Sequence, residues 1–88
     1  MQIDPAELTS VVTRLKRVQG QLGGIVRMIE EGRDCADVVT QFAAASRGLD
    51  RAGFKIVATG MRQCLAERKA GKDTLTDEQM EKLFLSLA

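Results

Sequence analysis

The sequence contains no histidine, tryptophan or tyrosine, and only three phenylalanines, one proline and two cysteines in 88 residues. Without histidine it lacks the commonest protein ligand of zinc, nickel and cobalt sites and the side chain most used for proton transfer near neutral pH. With 3% aromatics it has little on which to stack bases or sugars, which argues against a single-strand nucleic-acid platform. No apolar run approaches the ~20 residues of a membrane span, and the N-terminal residues lack a signal-peptide core, so a cytoplasmic, non-membrane protein is expected. In that reducing compartment two lone cysteines point to reactive or metal-binding thiols rather than to a structural disulfide. No nucleophile–base pair, phosphate loop or HExxH-type motif is present, so no enzyme is expected.

What is there has a globular profile, with 44% hydrophobic and 28% charged residues. Residues 1–88 read as a single small domain, a size at which oligomerisation commonly completes the core. Net charge is only +1, but its distribution is uneven. From Ser10 to Ile29 the charged residues are Arg14, Lys16, Arg17 and Arg27, with no acid. From Val38 to Ala66 they are Arg47, Arg51, Lys55 and Arg62 against Asp50 alone. Acids gather near segment ends instead, among them Asp4, Glu30, Glu31, Asp34, Asp73 and Asp77. Two readings follow: a positive patch pooled by an oligomer, or solvated helix faces with acids complementing helix dipoles.

The hydrophobic pattern predicts three helices and no strands. The first opens at Asp4-Pro5-Ala6-Glu7, with Asp4 as cap, Pro5 at the first position and Glu7 completing a capping box. Leu8, Val11, Leu15, Val18, Leu22, Ile25 and Ile29 then recur in steps of three and four, and Gly32 stops the helix. A second long helix starts at Asp34, with Asp37 as its capping-box partner. Its seam is Cys35, Val38, Phe42, Ala45, Leu49, Ala52 and Ile56, and the pattern lasts to about Lys69 before Gly71-Lys72-Asp73 breaks it. A short third helix follows Thr76-Asp77-Glu78-Gln79, with Met80, Leu83, Phe84 and Leu87 on one face. Two long helices and a short one do not enclose a core alone, so an antiparallel helical dimer at least is expected.

Cys35 and Cys64 stand 29 positions apart on the predicted second helix. At ~1.5 Å per residue a continuous helix separates them by roughly 43 Å, against the ~4.4–6.8 Å between Cα atoms that a disulfide needs. In an antiparallel pair of such helices Cys35 of one chain lies beside Cys64 of the other, giving a dithiol site between subunits. Two buried cysteines acting as small hydrophobes are the plainer alternative. Two thiolates could hold Cu(I), or link through di- or polysulfides. Arg14, Arg17 and Gln21 share a face of the first helix, and Arg47, Arg51 and Lys55 follow at i, i+4 steps on the second. Such rows suit phosphate contact. Gly20, Gly23 and Gly24 inside the first helix suggest close approach of another helix or of a DNA backbone, or else a kink.

The run Arg14-Leu15-Lys16-Arg17-Val18-Gln19-Gly20-Gln21-Leu22-Gly23-Gly24-Ile25, followed by Met28-Ile29-Glu30-Glu31-Gly32-Arg33-Asp34-Cys35, closely resembles the copper-sensitive operon repressor family of the CsoR/RcnR type. Val38-Val39-Thr40-Gln41, Leu49-Asp50-Arg51 and Cys64 fit as well, so the resemblance covers nearly the whole chain. It implies an all-α, three-helix protomer, an antiparallel dimer with a four-helix core and a disc-like tetramer. It also implies a transcriptional repressor that releases operator double-stranded DNA when its inducer arrives. By resemblance Arg14 and Arg51 carry over as DNA contacts, with Lys16, Arg17 and Gln21 beside them; Lys55 extends the row. Copper-sensing members use Cys, His and Cys across a dimer interface. Cys35 and Cys64 match the cysteines, whereas Gly60 stands at the histidine position, which leaves Cu(I) short of a ligand. That pattern is similar to the persulfide-sensing, CstR-like branch, in which reactive sulfane sulfur links the two cysteines across subunits and sulfide-detoxification genes are released.

The expected function is thus a bacterial repressor whose Cys35 and Cys64 respond to persulfide or polysulfide, with no cofactor. A Cu(I) sensor using the same two thiolates is the alternative, and a helical oligomerisation module without sensing is the second. A thiol redox enzyme would favour a Cys-x-x-Cys pair or a base beside a lone cysteine, and the sequence has neither.

Overall fold

A computed structural model of the chain describes residues 2–87. A 3-10 turn over Pro5–Leu8 leads into α1 (Thr9–Glu30), followed by α2 (Cys35–Lys69) and α3 (Asp77–Leu87). No strand occurs among the described residues, and the all-α, three-helix reading of the sequence stands. No helix among them is long and apolar enough to cross a membrane.

The ends of these helices follow from local chemistry. Asp4 is extended and its carboxylate accepts the Ala6 amide at 3.0 Å, as a cap should. The first turn is nevertheless 3-10 rather than α, and the Glu7 amide goes to the Asp4 carbonyl instead of closing a capping box. The Thr9 hydroxyl donates back to the Ala6 carbonyl across the junction. At the second start, Asp34 caps α2 with its carbonyl, which accepts the amides of Asp37 and Val38. The Asp37 carboxylate turns to Arg33 at 4.0 Å and does not act as the expected capping-box partner. Both long helices end in the same way. Gly32 and Gly71 take φ of +70° and +73°, a conformation costly for residues with a Cβ. The amides just beyond close back on Met28 and Glu67, satisfying carbonyls that the helix leaves open. At α3 the predicted capping box is complete: Gln79 N–H donates to the Thr76 hydroxyl at 3.1 Å, and Thr76 N–H donates to the Gln79 side chain at 2.9 Å.

The chain divides into two compact units, Ser10–Ala52 and the chain up to Thr9 together with Gly53 onward, with α2 running through both. In the Ser10–Ala52 unit Val18, Ile25 and Ala45 form the core, with Val38 packed against it. Burial on α1 falls at Val11, Val18 and Ile25, one residue in seven, because a single neighbouring helix covers only a narrow stripe. Other residues of each predicted seam stay open: Leu22, Ile29, Phe42 and Leu49 are all roughly half exposed or more. The glycines at 20, 23 and 24 have no neighbouring helix of the same chain against them; a Cβ at Gly23 or Gly24 would meet only the Arg27 guanidinium, at 3.8 and 3.9 Å.

In the other unit the second half of α2 packs with α3 and the N-terminal segment. A Cβ at Gly53 would lie 3.3 Å from a Leu87 methyl. Ile3, Ile56, Val57, Met80 and Leu83 are among the residues lining an apolar cavity of about 240 Å³ there. Gln63 reaches across to donate to the Gln2 carbonyl.

Candidate functional site

Two sets of side chains carry chemistry, one in each unit. The first is a groove between α1 and α2 in the Ser10–Ala52 unit. Its lining is Arg14, Arg17, Val18 and Gln21 from α1 with Ala44, Arg47, Gly48 and Arg51 from α2, around a volume of about 180 Å³. Each helix contributes residues spaced by three, four and seven, the spacing that keeps side chains on one helical face. The helices come close because position 48 is glycine: a Cβ there would sit 3.2 Å from a Val18 methyl. Val18 is itself buried in the core, so the backbone contact and the arginine groove share one anchor.

Four guanidinium groups line that groove and no acid does. The two ion pairs found among the described residues, Arg33–Asp37 and Arg68–Asp77, involve none of them. Like charges this close favour an anion that spans them, and forked guanidinium donors match phosphate geometry. Of the residues singled out in the sequence, Arg14, Arg17, Gln21 and Arg51 meet here. Arg47 joins them, although the family resemblance did not single it out. Lys16 does not; it borders a separate apolar groove with Val12, Leu15 and Leu22. Lys55 is exposed and belongs to the other unit.

The second set surrounds the cysteines. Both thiols are free, and both sit on α2. Cys35 is its first residue and is exposed. Cys64 is 2% exposed. Its Sγ donates to the Leu75 carbonyl at 3.4 Å and accepts from the Thr74 hydroxyl at 3.5 Å. One turn on, Arg68 donates to the same Leu75 carbonyl at 2.8 Å and to the Asp77 carboxylate at 2.7 Å. The Asp77 hydrogen bond holds the Arg68 pKa above its ordinary value, with smaller contributions from the Asp77 charge and from Cys64. Beside them, hydrogen bonds from Thr74 and then Gln63 hold the Glu67 carboxyl below its ordinary pKa. Gly60, one turn before Cys64, is buried and lines the apolar cavity.

These donors do not make up a metal site within the chain. Among the described residues no group of three His, Cys, Asp or Glu could hold an ion. Arg68, Thr74 and Asp77 had no periodic signal in the sequence; only the Thr76–Gln79 box marked where their segment ends.

Residues 7–86 match the family described as metal-sensitive transcriptional repressor. Over 57 residues the chain is 39% identical to the copper-sensing transcriptional repressor RicR of Mycobacterium tuberculosis, covering 65% of this chain and 59% of the relative. The chain therefore spans about three-fifths of that relative's length. Among solved structures, the Cu(I)-bound copper-sensing repressor CsoR of Geobacillus thermodenitrificans aligns with a TM-score of 0.75 at 26% identity, over 99% of this chain and 88% of that one. The nickel-responsive transcriptional regulator InrS aligns with a TM-score of 0.64 at 28% identity, over 99% of this chain and 89% of its own.

Proposed function

The chain belongs to the family of metal-sensitive transcriptional repressors, and from that premise we propose that it represses transcription by gripping duplex DNA through the arginine groove. The observation that carries this reading is the groove itself, with Arg14, Arg17, Arg47 and Arg51 converging on one face and no acid to neutralise them. Phosphates are the natural occupants, with Gln21 able to donate alongside. Residues 1–88 then act as one cytoplasmic sensing and DNA-binding domain, a reading supported by a family match that extends across both units. The exposed Leu22, Ile29, Phe42 and Leu49 support assembly into an antiparallel dimer and a tetramer, which would cover them and pool several grooves along one duplex.

Release is proposed to come from reactive sulfane sulfur acting on Cys35 and Cys64 of neighbouring subunits. The exposed Cys35 thiolate attacks the terminal sulfur of a persulfide, RS–SH. The S–S bond breaks, RS⁻ leaves, and Cys35 becomes a persulfide. The Cys64 thiolate of the neighbouring chain then attacks the Cys35 sulfur and expels hydrosulfide. Two thiols are oxidised to one disulfide while the sulfane sulfur is reduced to sulfide, so no further oxidant is required. The link favours an assembly whose grooves no longer match the duplex, by the ~1–3 kcal/mol usual for allosteric coupling. Sulfide-detoxification genes are the fitting targets for such a response.

The Cu(I) reading has the copper-sensing relatives in its favour. Against it stand the donors: Gly60 supplies no ligand where copper sensors of this family carry histidine, leaving two thiolates per site. Titration with Cu(I) against a tight chelator separates the two, because a dithiol alone should compete poorly. The leading reading is tested with Cys35→Ser and Cys64→Ser proteins, measuring binding to a duplex from the promoter region of the chain's own gene. Polysulfide should release the parent protein and leave both variants bound. Release of either variant to the parent's extent removes the mechanism. A protein that binds no duplex at any salt concentration would leave only the oligomerisation module.

A further inference from the structure

Cys64 is buried. Two groups that hydrogen-bond its sulfur, the Thr74 hydroxyl and the Leu75 carbonyl, lie in the segment between α2 and α3. That segment leaves α2 at the left-handed Gly71 and enters α3 through the Thr76–Gln79 capping box. Between those points side chains of α2 tie it down: Glu67 is hydrogen-bonded to Thr74, and Arg68 holds the Leu75 carbonyl with one nitrogen and the Asp77 carboxylate with the other. Leu75 thus accepts from both Arg68 and Cys64, so the latch and the thiol meet at one carbonyl oxygen.

We propose that Thr74–Asp77 is a strap latched by Arg68, and that Cys64 reacts only when this strap lifts. The proposal rests on reading Cys64 as a sensing thiol. Arg68 is in this scheme a positioning residue, acting through the strap in addition to its own interaction with Cys64. A sulfur atom bonded to Sγ removes the S–H that Leu75 accepts and occupies the space of the Leu75 and Thr74 contacts. A modified Cys64 therefore keeps the strap off, and the strap carries the first turn of α3 with it. Chemistry at one thiol is converted in this way into movement of a helix.

The two arms of the latch are unequal. Asp77 has a side chain 93% exposed, and a pair so open to water is held only weakly. The bond from the charged guanidinium to a backbone carbonyl is the stronger arm.

The test is site-resolved alkylation of the reduced, full-length protein with N-ethylmaleimide under native conditions, with Cys35 in the same molecules as the internal clock. Arg68→Met keeps the stem and removes every donor; Cys64 should label on the order of tenfold faster relative to Cys35, as expected for loss of a charge-assisted hydrogen bond. Asp77→Asn should give about twofold, in keeping with an exposed ion pair. Arg68→Lys should restore most of the parent's protection. Equal Cys64 rates in the parent and Arg68→Met, or Cys35 accelerating in step with Cys64, would overturn the strap. Should Arg68→Met fail to fold, the ranking of Asp77→Asn against Arg68→Lys decides in its place. Labelling reads access to sulfur alone, so this result stands apart from whether polysulfide releases DNA.

Discussion

In the Ser10–Ala52 unit four arginines line a groove with no acid in it, whereas in the other unit Arg68 spends its donors on its own chain, at Leu75 and Asp77. Gln63 and Glu67 pair with one another beside it, as do Thr76 and Gln79. Charge left unpaired is charge available to a partner, and in a groove lined by guanidinium groups that partner is an anion. Charge tied to the backbone fixes a loop, and here the loop covers a thiol. The difference teaches that composition alone, with a net charge of +1, says little about binding. What matters is which charges the fold leaves without internal partners.

That contrast breaks most visibly at the groove. Arg14→Ala with Arg51→Ala should weaken binding to a duplex of about 30 base pairs by roughly ten- to a hundredfold near physiological salt, with each lost phosphate contact lowering the salt slope by ~0.9. Arg47→Ala should behave as Arg51→Ala does, while Lys16→Ala, outside the groove, should do less. Equal effects from Lys16 and Arg47 would mean that total charge, not the groove, governs binding. A smaller effect is expected at the helix contact beneath it. Gly48→Val must push against Val18, a β-branched residue stiff at χ1, and should cost about 1–3 kcal/mol in thermal or denaturant unfolding. For Gly48→Ala the clash at 3.2 Å is offset by the ~1 kcal/mol that alanine gains in a helix, leaving stability nearly unchanged.

The smallest effect belongs to the thiol side. The Glu67 carboxyl is held below its ordinary value of 4.5, chiefly by Thr74 and then by Gln63. A depressed carboxyl stabilises the fold above the unfolded pKa and loses that contribution as pH falls through the folded one. The parent should therefore lose stability below pH 4.5 slightly more steeply than Glu67→Gln, read as melting temperature against pH. Parallel profiles would show that Glu67 adds nothing to this region.

Much of this was legible along the chain because it is local. Gly32, Gly71 and the Thr76–Gln79 box mark helix ends through bonds spanning a few residues, and Arg14, Arg17 and Gln21 share a face by spacing alone. Which residues of α2 would face them depends on where α1 lies against it, fixed by Val18 meeting Gly48. No periodicity states that register. The Arg68 latch was hidden for a similar reason: it joins a helix to a residue beyond a turn, nine positions on. The seams were only half right as cores, since Val18 and Ile25 are buried within the chain while Leu22 and Ile29 face outward. The pattern recorded apolar positions without distinguishing those buried within the chain from those left exposed on it.

The proposed division of labour ends in one covalent event, and intact-mass analysis of the polysulfide-treated protein under denaturing, non-reducing conditions observes it directly. The account predicts a covalent dimer whose fragments join Cys35 of one chain to Cys64 of another, with an added sulfur when the donor chain is longer. Masses of single chains only, or dimers joined Cys35 to Cys35, would contradict it.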